Sequence, residues 1–317
     1  MRIDRKLFSF LVVNVLIFEA IADNKLEVGK NSLSIRVGDR IAALYKFQDV
    51  PFKPYIKELY TPAGLQILED APPDHLHHHG VMFAVAVNGV NFWEEKTGSS
   101  GVEAHLSFDN QNFHENFLFN DLEFTLGEFH ETLDWKSPDG VVLVKEKRIV
   151  LCGSWIGRDA NVLFWKTELF NPSNSDKVEL TGHHYFGLGV RLLTTPMEKV
   201  QILSESEENL ENVRGDEYLR TSPWCGLTLE NDKGKFTVLL VDLKDSVRYP
   251  ARWFTMRTPF VYVSATRNLW KEPLEIPPGQ CVSFSTAIVV WDGIKTKEEL
   301  EKVGMELSEF KMFSVEE

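Results

Sequence analysis

The sequence predicts an all-β protein, an antiparallel sandwich closed by one short C-terminal helix. Three observations lead there. Apolar and polar residues alternate over most of the chain, Asn, Gly, Pro and Ser turns separate the alternating runs, and only one stretch repeats with a helical period. Long aromatic-rich runs fit strands whose side chains fill the space between two sheets.

Residues 1–22 stand apart. Arg2, Arg5 and Lys6 form a charged start, Leu7 to Phe18 a short apolar run, and Ala20-Ile21-Ala22 a cleavage-like pattern of small residues. The run falls short of the roughly 20 residues of a membrane-spanning helix, and no cysteine follows it to carry a lipid. A signal peptide and an exported protein, periplasmic or extracellular, are expected, with residues 23–317 as a single β-sandwich domain.

Leu26 to Val28, Leu33 to Val37 and Ile41 to Phe47 read as an opening meander. Leu122, Phe124 and Leu126 alternate in one phase and Phe129, Leu133 and Trp135 in the other, which predicts a β-bulge at Gly127-Glu128. Further strands are expected at Val141 to Leu151, Val162 to Phe170, Lys177 to Leu180, Gly226 to Glu230, Phe236 to Leu243, Val261 to Ala265 and Cys281 to Trp291. Ser204 to Glu217, with six acids and one base, reads as a solvated loop. Thr296 with Glu299 makes a capping box, and Leu300, Val303, Leu307 and Phe310 share one helical face, so a helix should lie on the sheet as a lid.

A formal charge of −13 argues against nucleic acid or an anionic membrane as partner. Cys152, Cys225 and Cys281 are far apart and share no CxxC spacing, which excludes a cysteine-based zinc site; one disulfide or three buried thiols remain open. No further membrane-spanning segment follows the signal region.

Chemistry concentrates in two histidine clusters. Asp74-His75-Leu76-His77-His78-His79-Gly80 precedes an apolar run. In extended backbone His75, His77 and His79 would share one face, with His78 opposite, and imidazoles two apart, such as His77 and His79, can chelate a divalent metal. The second cluster runs from Thr181 to Arg191. A strand there would present His183 as an acid, Tyr185 as a phenol and Arg191 as a cation for an anionic substrate. Trp93, Glu94 and Glu95, and Arg248, Trp253 and Arg257, are further candidates, because an aromatic face stacks on a sugar ring and a guanidinium grips a carboxylate.

The stretch His183-His184-Tyr185-Phe186-Gly187-Leu188 resembles the His-x-Tyr-Phe-Asn-Leu segment of aldose 1-epimerases, whose histidine is the general acid of mutarotation. His79-Gly80 is similar to the His-Gly of their second substrate-binding histidine, and Leu274 to Gln280 to their proline-glycine turn. A wider resemblance is to the methane-oxygenase-like (PmoA) family. It runs from Pro54-Tyr55 and Thr61-Pro62-Ala63-Gly64 through the histidine run, Asn88-Gly89-Val90-Asn91-Phe92-Trp93, Tyr185 to Arg191, Arg248-Tyr249-Pro250, Trp253 and Arg257, to Asp292-Gly293. Together these imply a galactose mutarotase-like antiparallel β-supersandwich that handles a saccharide. Methane oxidation is not expected, because a membrane subunit needs several transmembrane helices. Plain mutarotation is not expected either: where the epimerases carry a glutamate base, this chain reads Phe260 to Arg267 without a carboxylate.

Three functions stay open on sequence. The first is a carbohydrate-active lyase, epimerase or hydrolase, with His183, His79 and Tyr185 catalytic and His75, His77, His78, Trp93, Glu94, Arg191, Arg248, Trp253 and Arg257 binding a saccharide such as a uronic acid. The second is a non-catalytic saccharide-binding protein, and the third a metal-dependent oxidoreductase with His77 and His79 as ligands.

Overall fold

A computed structural model describes residues 24–312, apart from Ser206, Glu207 and Asn209. The expected signal peptide lies outside the described residues. As the alternation predicts, the strands are antiparallel and one helix closes the chain. No helix among the described residues is long and apolar enough to cross a membrane.

Three sheets of ten, eight and four strands make up the architecture. The ten-stranded sheet begins with the opening meander and carries Tyr55–Leu59, Val81–Ala84, Gly187–Arg191, Tyr262–Thr266 and Arg252–Met256 side by side. It ends in the hairpin Glu217–Thr221 and Glu211–Arg214. The eight-stranded sheet is built around Ala160–Phe170 and Cys281–Asp292 and ends in the 18-residue edge strand Val102–Phe119.

Both faces of the eight-stranded sheet are covered. Phe129, Leu133 and Trp135 point into the core shared with the ten-stranded sheet, where Tyr45 meets Phe129 at 4.8 Å between ring centroids. Phe124 and Leu126 point the other way, into a second core beneath the helix Lys297–Ser308. This corrects the expected bulge. Gly127 and Glu128 pair in unbroken register with Cys152 and Leu151. The apolar phase switches because the core changes side, and the backbone keeps its period of two.

The helix starts at the Thr296 capping box, and its face of Leu300, Val303 and Leu307 is buried as expected. Two other expectations need correction. The acidic run is a loop only in part: it contains the Glu211–Arg214 and Glu217–Thr221 hairpin. Arg252 pairs with Glu211 and Arg257 with Asp216, so bases distant in sequence neutralise the acids. The cysteines are all free, Cys152 and Cys225 buried and Cys281 exposed.

Candidate functional site

A cavity of about 420 Å³ opens beside the middle of the ten-stranded sheet. Four segments build its walls, each positioned by a local backbone device.

The histidine run is a compact turn and not extended backbone. After Pro72-Pro73, the His75 and His78 amides donate to the carbonyls of Pro72 and His75, and the Ala71 amide donates to the His78 carbonyl, each at 2.9 Å. The rings of His75, His77 and His78 therefore gather on one side, with His78 4.6 Å from both others. All three line the cavity. His79 turns away, buried beneath them and stacked 3.9 Å from Tyr55.

The second segment explains the Asn88 to Trp93 motif. Asn88 and Gly89 both take positive φ, 48° and 80°, as a tight two-residue hairpin turn requires. The Asn91 side-chain oxygen then accepts from the amides of Trp93 and Glu94 at 2.8 and 3.1 Å, turning both into the cavity wall.

These two segments are tied together one residue out of step with the site. His79 bonds Asp70 through Nδ1 at 2.8 Å and Glu95 through Nε2 at 3.0 Å, and the buried Lys53 ammonium donates to Glu95 at 2.7 Å. Burial disfavours charge on both groups. Against it, the bonds from Asp70 and Glu95 raise the His79 pKa, and His79 and Lys53 bring Glu95 down to about 2. The latch fixes His78 and Glu94, which face the cavity, by clamping their neighbours, which do not.

The third segment, Gly182 to Phe186, is a turn closed by the Phe186 amide on the His183 carbonyl at 3.1 Å; the strand begins only at Gly187. Tyr185 reaches the cavity and lies edge-on to Trp93, which stacks 5.1 Å from Phe186. His183 sits exposed at the rim, 4.6 Å from the Tyr185 ring and 4.2 Å from His184. Gly189 passes under this wall, where a β-carbon would lie 1.9 Å from the Tyr262 hydroxyl.

The fourth segment was not expected. Arg214 and Glu217 of the acidic hairpin line the cavity with Phe254, Phe260 and Tyr262. Arg214 Nε donates to both carboxylate oxygens of Glu217 at 2.9 Å, and Glu217 also contacts His184 Nε2 at 3.3 Å. The cavity lining thus contains two carboxylates, Glu217 and Glu94, which act together on the titration of His183 and Tyr185.

Two of the imidazoles that line the cavity, His77 and His78, are biased toward the neutral form. Burial lowers His77, helped by Lys53 and His75, and pushes His78 down to about 3, helped by His77 and His75. Burial also lowers His183, with Arg214, and His184, with His183. Tyr185 is raised by burial and by Glu94 and stays protonated. Neutral imidazoles accept protons and a protonated phenol donates one.

Several expected residues lie elsewhere. Trp253 is buried, with its indole bonded to the Ser222 carbonyl. Arg248 caps the carbonyls of Arg267, Glu272 and Pro273. Arg257 holds Asp216 and so anchors the hairpin that carries Arg214 and Glu217. Arg191 is buried behind Phe260. Both nitrogens of His79 are committed to carboxylates, which leaves no lone pair for the expected pairing with His77 on a metal. Among the described residues no group of three or more histidines, cysteines or acids is arranged to hold a metal ion.

Residues 32–304 match the model of a family of unknown function, DUF6807. The chain belongs to that family. No curated protein matches it. Among solved structures it is similar to the α-galactosidase of Lactobacillus brevis, with 8% identity and a TM-score of 0.45 over 85% of this chain and 39% of that one. It is similar also to a galactose mutarotase-like protein of Clostridium acetobutylicum, with 10% identity and a TM-score of 0.39 over 84% of this chain and 98% of that one. The galactosidase domain of an α-galactosidase–sucrose kinase matches at 8% identity and a TM-score of 0.45, over 85% of this chain and 42% of that one. The chain thus spans about two fifths of the length of the two galactosidases. Neither this family's description nor these structures carry the methane-oxygenase-like label. Likenesses this distant say nothing about the site.

Proposed function

We propose that this chain is an exported carbohydrate-active enzyme that moves protons at the anomeric carbon of a saccharide, or at one next to it. One observation carries the reading: neutral imidazoles, a protonated phenol and two carboxylates share one aromatic-walled cavity. The volume, about 420 Å³, is in the range of small-molecule sites, and the aromatic side chains of Tyr185, Phe254 and Phe260 line it, as a sugar-binding wall requires. Glu217 or a neutral histidine would take a proton from the sugar, and Tyr185 would return one. Such a step leaves the protein's net protonation unchanged and suits an epimerase or lyase as well as a hydrolase.

The test is a panel of mono- and oligosaccharides followed by proton NMR in deuterated water. Anomeric inversion, carbon-bound exchange or bond cleavage is the expected outcome. Glu217→Gln and Tyr185→Phe should each slow it by about 10²–10⁴-fold, the usual contribution of a positioned acid or base. Binding without any chemical change would reduce the protein to a saccharide-binding module. Absence of both would remove the carbohydrate reading.

A further inference from the structure

The cavity wall around His78 holds unsatisfied hydrogen-bonding groups. Trp93 is fully buried and its Nε1 has no hydrogen-bond partner. His78 Nδ1 is also buried without one. Arg191, 2% exposed, lacks partners at both Nε and Nη1. The three residues are neighbours: His78 stands 6.3 Å from Trp93 and 5.2 Å from Phe260, and the Arg191 guanidinium lies 3.5 Å from the centre of the Phe260 ring.

Arg191 has carboxylates nearby but no hydrogen bond from these two nitrogens. Glu69, at 3.7 Å from Nε, is beyond hydrogen-bond reach and accepts instead from the Thr194 hydroxyl at 2.9 Å. Asp74 is bound to His75 Nδ1 at 2.9 Å. Buried polar groups in native proteins are almost always hydrogen-bonded. An indole N–H and a guanidinium only donate, so the group that completes this wall must accept. A water has one oxygen to offer these donors, whereas a carboxylate offers two.

We propose that this wall is an anion subsite, and that the saccharide handled in the cavity is an acidic one. Its carboxylate sits against Trp93 and His78 and reaches Arg191 when the Phe260 ring swings aside. The inference rests on the carbohydrate reading and deepens it. Phe260 lies between the strands Arg252–Met256 and Tyr262–Thr266, where its ring separates cavity from guanidinium. Arg214, across the cavity, is already held by Glu217 and is the weaker candidate.

Calorimetric titration of the full-length protein decides it, with methyl glucuronide, methyl glucoside and glucose 1-phosphate as probes. The uronide should bind about 10–100-fold tighter than the neutral glycoside, the worth of hydrogen bonds to a charged group. Arg191→Met, which keeps the buried volume and removes the charge, should erase that preference while leaving the glucoside's affinity in place. Phe260→Ala, which leaves Arg191 intact, should strengthen uronide binding and serves if the methionine variant fails to fold. Equal affinity for uronide and glucoside overturns the anion subsite and leaves the carbohydrate reading standing, and so does a preference that survives Arg191→Met. A stronger response to the phosphate overturns the carboxylate assignment. Failure of all three probes removes the carbohydrate reading and this inference together.

Discussion

Replacing Glu95 by glutamine tests the latch beneath the cavity. The carboxylate receives the Lys53 ammonium at 2.7 Å and His79 Nε2 at 3.0 Å, and the Lys53 side chain is wholly buried. Glutamine keeps the shape but not the charge, so Lys53 and a protonated His79 would face each other with Asp70 as the remaining anion. Removing one partner of a buried ion pair costs about 3–5 kcal/mol. The Glu95 pKa leads to a similar figure. A fall from 4.5 to about 2 on folding corresponds to about 3 kcal/mol of stability at neutral pH. That contribution is complete above the unfolded pKa of Glu95 and is lost as pH drops from 4.5 toward 2. His79 is raised in the folded chain, so its contribution is complete below 6.5 and fades as pH rises through its folded value. The latch is therefore strongest between about pH 4.5 and 6.5. Urea unfolding of both proteins at pH 6 and at pH 3 measures it, provided the m-values agree. A cost below about 1 kcal/mol at pH 6, or a difference that does not shrink at pH 3, would refute the reasoning.

Three further outcomes are expected. Gly189→Ala places a methyl 1.9 Å from the hydroxyl of the buried Tyr262 and 2.9 Å from the Trp93 ring; it should cost about 1–3 kcal/mol and shift the tryptophan fluorescence, and unchanged stability would count against the packing described. Thr296→Ala removes the capping box and should cost about 1 kcal/mol in chemical denaturation, with no change at the cavity. A thiol reagent should label only Cys281 in the folded protein and all three cysteines in urea; fast labelling of Cys152 or Cys225 without denaturant would contradict their burial.

The strands were legible wherever one periodicity met one core. Val162 to Phe170, Cys281 to Trp291 and the capped helix fall where the pattern put them, with ends shifted by a residue or two. Legibility failed where burial changed side or was absent. The phase switch at Gly127 mimics a bulge because a local pattern cannot tell a slip in the backbone from a change in which face is covered. Val102–Phe119 escaped notice for the opposite reason. It is an edge strand, largely polar or half-exposed, and its pairing is irregular at three places, so little alternation survives.

The site was half legible, and the missing half has one cause. His75, His77, His78, Trp93, Glu94 and Tyr185 do come together, because each stands in a stretch dense in chemically active side chains. Which member of such a stretch faces the cavity is set by the turn that carries it, and composition does not encode that. His79 and Glu95 are as reactive on paper as His78 and Glu94, yet a one-residue offset makes the first pair the latch and the second pair the wall. Glu217 was hidden differently. In sequence it is one acid among six, and six acids with one base read as solvent-facing. What turns that run inward is Arg257, 41 positions from Asp216, which neutralises the hairpin and lets Glu217 stand beside Tyr185 in the cavity. Charge that looks like solubility in one segment becomes a site when its counterion arrives from another strand.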